Sequence, residues 1–122
     1  MTADPERQAQ LLRGALDVCL LALLSREPTH AYDLVVRLEE RGLQGVGYGT
    51  IYPLVGRLRR LGLLDEHAEP SPTGPARKVF HLSPAGRAAL SEWVGQWLDT
   101  TSAVHGLLES TGALPNREKE RA

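Results

Sequence analysis

The chain of 122 residues holds a single cysteine, Cys19, so no intrachain disulfide is available to it and a reducing cytoplasm is the simplest compartment. Long apolar runs are missing. The longest, LDVCLLALL at 16–24, falls well short of the roughly 20 residues that cross a bilayer, so no membrane is expected. The opening MTADPERQAQ is polar and carries acids, unlike a signal peptide. No sign of charge dominates: 14 Lys and Arg stand against 15 Asp and Glu, a net charge of −1. The total therefore neither favours nor opposes a nucleic-acid partner, and distribution must decide. There is no P-loop, no GxGxxG and no nucleophile elbow. His30, His67, His81 and His105 are scattered, with no metal-ligand spacing on one element. Glu39 and Glu40 are adjacent and so point to different helix faces. Neither an enzyme, a metal nor a cofactor is expected. The length implies one domain with a modest core.

What is present reads mostly as helix. Residues 8–26 predict a first helix, apolar on nearly every face and ended by Pro28; such a helix is buried on several sides, which hints at a second subunit. THAYDLVVRLEERG, 29–42, predicts a second, with Thr29 able to cap it and His30 expected to cap or pack it, Ala31, Leu34, Val35 and Leu38 on one face, and Gly42 at its end. YGTIYPLVGRLRRLG, 48–62, predicts a third, capped by Thr50 with Pro53 in the first turn. Residues 63–82 change to a strand-like period around the turn-rich PSPTGP, a hairpin whose tip is too long for a tight turn. SPAGRAALSEWVGQWLDTTSAVHGLLES, 83–110, predicts a long last helix capped by Ser83, with Gly95 and Gly106 inviting a kink or early fraying. A charged, disordered tail is expected at 111–122. The fold class is thus α+β, mostly α with one small hairpin.

The third helix carries the functional signal. Ile51, Leu54, Val55, Leu58 and Leu61 form an apolar stripe. At 100° per residue, Tyr52, Pro53, Gly56, Arg57 and Arg60 fall opposite, with Arg59 at the edge and no acid among them. Two helices joined by a short glycine-containing turn and followed by a hairpin describe a winged helix-turn-helix, with the third helix entering a DNA major groove. Arginines reach phosphates and guanine edges. Gly56 omits a side chain where the helix must approach the duplex. The wing, 69–78, places Arg77 and Lys78 for the adjacent minor groove or backbone. Two other classes stay open. A winged helix that docks a protein would carry a more apolar outward face. A ligand-binding dimer would make the tryptophans of the last helix its main site.

These segments resemble the PadR family of bacterial transcriptional regulators. LLRGALDVCLLALL, THAYDLVVRLEERG, GTIYPLVGRLRRLGLL and RKVFHLSPAGRAAL are similar to four of its segments, in the same order, over about Leu11 to Trp97. The resemblance implies a homodimeric winged-helix repressor acting on its own and neighbouring genes through double-stranded, pseudo-palindromic DNA. It implies a winged domain at 8–82 and a C-terminal dimerisation helix at 83–110, the family's small branch. DNA contacts would fall on Thr50, Tyr52, Pro53, Arg57, Arg77 and Lys78. Leu90, Trp93, Val94, Trp97 and Val104 would line the dimer interface, either as plain core or as a cavity for a planar aromatic effector. Two departures stand out: Val79 and Phe80 replace a tyrosine pair after the wing lysine, and Ala31 replaces a glycine.

Overall fold

A computed structural model describes residues 4–115. It contains α1 (Pro5–Leu12), α2 (Leu16–Arg26), α3 (Ala31–Glu40), α4 (Tyr48–Arg60), β1 (Leu64–Ser71), β2 (Gly74–Leu82) and α5 (Pro84–Ser110). By compactness the chain divides into Met1–Ser91 and Glu92–Ala122.

The single first helix expected over 8–26 is two helices, bent by 65° at the break. The start lies earlier than expected: Asp4 caps α1, its carboxylate accepting from the Glu6 N–H at 3.0 Å, and Pro5 takes the first position. Gly14 and its neighbours make the turn, and both Leu12 and Leu16 are buried across it. The expectation of all-round burial holds only in part, since Leu16, Leu20, Leu21 and Leu24 are buried but Leu11 stays 64% exposed.

Of the two residues expected to cap α3, His30 does so and Thr29 does not: the imidazole Nδ1 accepts from the Asp33 N–H at 3.2 Å. Thr29 has other work. Its N–H donates to the Phe80 carbonyl at 3.1 Å and its carbonyl accepts from the Phe80 N–H at 2.8 Å. That bridge adds a third strand-like partner on the free edge of β2. Gly42 ends α3 with φ +89°, and Gly62 ends α4 with φ +79°. At both ends the next residue's N–H reaches back five residues, Leu43 to Leu38 and Leu63 to Leu58, at 3.0 Å each. This is the closing bond of a Schellman end.

β1 and β2 pair antiparallel, Leu64 opposite Leu82 and Glu69 opposite Arg77. The long tip expected from PSPTGP is contradicted. Ser71 pairs with Gly74, leaving only Pro72 and Thr73 in the turn. The register slips between Glu69 and Ser71, at Pro70, which has no N–H to give a ladder. The core of the first unit joins Leu20, Leu21 and Leu24 to Leu34, Leu38, Ile51, Val55, Leu58, Leu64 and Phe80, all nearly inaccessible. Each such side chain contributes about 1.5–3 kcal/mol by leaving water. Val79 and Phe80, the residues in place of the tyrosine pair, belong to this core.

Ser83 caps α5 as expected, its Oγ accepting from the Gly86 N–H at 3.0 Å. The same hydroxyl donates to the Gly62 carbonyl at 2.6 Å. α5 shows no early fraying and continues helical through Gly95 and Gly106 to Ser110. Of the tail expected at 111–122, Thr111 and Gly112 form a turn, and residues 116–122 lie outside those described.

Candidate nucleic-acid interface

α4 begins earlier than the sequence suggests. Gly47 is its N-cap and Tyr48 its first residue, so Thr50 lies within the first turn rather than capping it. Pro53 is then inside the helix, not in its first turn. Having no N–H, it leaves the Gly49 carbonyl without its usual helical donor. The glycine-rich stretch before it starts the helix by backbone geometry alone, since Gly47 has no side chain to accept a bond.

The division of faces follows the sequence. Ile51, Val55 and Leu58 are buried and Leu54 half-buried, while Leu61 is 57% exposed and leaves the stripe. Thr50, Tyr52, Pro53, Arg57 and Arg60 are exposed and Gly56 is partly covered. Arg59 is held at the edge by Glu66 of β1, at 3.4 Å. Among the described residues Arg57 and Arg60 have no carboxylate partner. A Cβ built on Gly56 would meet only the tip of Arg60, at 3.4 Å, so the fold itself does not demand glycine there.

Arg77 and Lys78 sit exposed on β2 and line a groove of about 430 Å³ with His30, Tyr32, Tyr48 and Tyr52. The groove thus joins the start of α3, the start of α4 and the wing, and no carboxylate lines it. Tyr48 stacks on Tyr52, ring centroids 5.2 Å apart. The sequence reading missed Tyr48, although its spacing of four residues from Tyr52 places both on one helix face. From sequence His30 is expected only to cap or pack α3, since its neighbour Arg77 is 47 residues away.

The remaining sites expected from the sequence lie on α5. Leu90 and Trp93 are half-buried, while Val94, Trp97 and Val104 are exposed at 40%, 43% and 51%. Leu98, Leu107 and Leu108 add to this exposed apolar set. Cys19 is half-buried, and burial together with the Asp17 charge raises its thiol pKa, opposite to what a reactive thiolate requires. His67 and His81 come together across the hairpin, ring centroids 5.6 Å apart. Among the described residues no group of three His, Cys, Asp or Glu is placed to hold a metal ion. No single described helix is long and apolar enough to cross a membrane.

A helix-turn-helix with an acid-free basic outer face, followed by a hairpin bearing two more cations, defines a winged-helix DNA-binding protein. Comparison with known proteins agrees. The Transcriptional regulator PadR-like family matches over residues 20–92. A curated relative, Transcriptional regulator Rv3488 of Mycobacterium tuberculosis, is 36% identical over 80 residues, 66% of this chain and 73% of that protein. The crystal structure of a PadR family transcriptional regulator from Eggerthella lenta superimposes with a TM-score of 0.77 at 33% identity, covering 85% of this chain and 90% of that one. A Streptococcus transcriptional regulator gives 0.71 at 37% identity, covering 80% and 96%. The chain belongs to the PadR-like family of transcriptional regulators, which are not enzymes.

Proposed function

We propose that this protein is a homodimeric repressor that occludes promoters by binding a pseudo-palindromic operator, including one upstream of its own gene. The observation that carries the reading is the exposed face of α4, where Tyr52, Arg57 and Arg60 are free of acids and Tyr52 shares a groove with Arg77 and Lys78 of the wing. Side chains of this kind fit phosphates and base edges better than a protein surface. α4 would enter the major groove through Thr50, Tyr52, Pro53, Arg57 and Arg60, with Gly56 permitting close approach. The wing would lie on the adjacent minor groove or its backbone.

The exposed apolar residues of α5 support the dimer. Val94, Trp97 and Leu98, then Val104, Leu107 and Leu108, recur at three- and four-residue steps, as in a helix seam. Two subunits would present their α4 helices to successive major grooves, about 34 Å apart. Trp93 and Trp97 of both subunits would then face that interface, where a planar aromatic effector could stack and act by changing the angle between subunits.

The test is binding of the purified protein to DNA upstream of its own gene, titrated across salt beside an unrelated duplex. Preference for the cognate fragment with a steep salt dependence is expected. Absence of binding to any duplex would defeat the reading.

A further inference from the structure

The groove between α3, α4 and the wing holds a contact that hydrogen bonding within the protein does not satisfy. His30 has a donor beside each ring nitrogen. The Asp33 N–H lies 3.2 Å from Nδ1, and an Arg77 guanidinium nitrogen lies 3.4 Å from Nε2. Neither an amide N–H nor a guanidinium can accept. A neutral imidazole has one acceptor nitrogen, so it can serve one of these neighbours and must present an N–H to the other. The Asp33 contact is the helix cap, which uses the Nδ1 lone pair. With the cap bond kept, the proton is on Nε2 and faces the cation of Arg77. Two donors at that separation call for an acceptor between them.

We infer that His30 and Arg77 form a clip for one backbone phosphate of DNA, joining the start of α3 to the wing. The inference rests on the DNA-binding reading and deepens it. An anion oxygen accepts from both donors at once, and its charge offsets that of the guanidinium. The surroundings suit an anion: Lys78, Tyr48 and Tyr52 line the same groove and no carboxylate does. The N–H groups of Ala31 and Tyr32, at the first turn of α3, have no acceptor among the described residues, and both residues line that groove. A phosphate contact carries no sequence information, so the clip sets register and strength rather than operator choice.

Capping and clipping can be separated. His30→Asn keeps an acceptor for the Asp33 N–H, asparagine being a strong N-cap, and removes the distal donor. Duplex binding is measured by fluorescence anisotropy with a short duplex of scrambled sequence at low salt, for wild type, His30→Asn, Arg77→Ala and the double variant. His30→Asn should melt as wild type does and bind roughly tenfold more weakly. Arg77→Ala, a change at an exposed strand position, should weaken binding by a similar factor. The double variant should lose little beyond either single one, because both hold the same group. Losses that multiply to roughly a hundredfold would show independent contacts and overturn the clip. So would wild-type binding by His30→Asn. Nitrogen-15 spectra of the His30 ring give a check that needs no variant: the proton must be on Nε2, and a proton on Nδ1 would refute the proposal. Failure of the wild type to bind any duplex would take the DNA-binding reading down with it.

Discussion

At the scale of single residues, Gly56 separates folding from function. Nothing in the fold requires it, since an added Cβ meets only the flexible tip of Arg60. Glycine inside a helix costs about 0.5–1 kcal/mol relative to alanine. Gly56→Ala should therefore raise thermal stability by about that amount while weakening DNA binding, and melting and anisotropy on one preparation would show the opposite signs. Arg57 and Arg60, free of carboxylates, should each lower the slope of log affinity against log salt by about 0.9 when changed to alanine. A slope equal to wild type would remove that arginine from the phosphate contacts. Asp33 gives a pH prediction. Partial burial pushes its pKa up, but hydrogen bonds from Thr29 and Arg37, with the Arg37 charge, outweigh this and hold it below the usual carboxylate value. A lowered carboxylate pKa adds stability that is present at neutral pH and is lost as pH falls through the lowered value. Asp33→Asn should therefore be less stable at neutral pH and lose less on acidification. Denaturant titrations across the acid range would measure it.

At the scale of elements, the joint between α4 and α5 is built from one buried serine and one buried glycine. Ser83 donates to the Gly62 carbonyl at the end of α4 and accepts from the first turn of α5. Its own N–H donates to the Leu63 carbonyl at 3.1 Å. A Cβ on Gly86 would collide with that Leu63 carbonyl and crowd Leu82. Backbone cannot move aside as a long side chain can. Gly86→Ala should destabilise by about 1–3 kcal/mol or more, read by denaturant unfolding, whereas Gly95→Ala, where a Cβ meets nothing, should not. The hairpin is held in a comparable way, through Phe80: its ring is buried and both its backbone groups bond Thr29. The wing's position relative to α3 is thus set at its base, which keeps Arg77 beside His30.

At the scale of the whole molecule, the exposed leucines, valines and tryptophan of α5 are the surface on which the proposed dimer would pack. Trp97→Ala should shift the monomer–dimer equilibrium toward monomer whether or not an effector exists, and sedimentation across a concentration series would detect it. An unchanged equilibrium would place the interface elsewhere. The stability of the proposed dimer would depend on protomer concentration, so the wild-type melting temperature should rise with concentration.

Much of this architecture was legible in the sequence because it is local. Periodicity placed α3, α4 and α5, glycines marked the ends of α3 and α4, and the acid-free face of α4 pointed to DNA. A serine before a proline was enough to announce α5. What the sequence left unstated depends on chain brought from far away or on backbone spacing. The break at Gly14, the two-residue wing tip and the cap at Gly47 come from packing and pairing that override local turn and cap preferences. The approach of Arg77 to His30 and the tight fit at Gly86 exist only after the hairpin has folded back onto the helices. Sequence alone determined the helices, the hairpin and the charge of the recognition face, since nearest neighbours and period set those. Tertiary structure alone decided which donors meet in the groove, because that is a question of distance between residues the chain keeps apart.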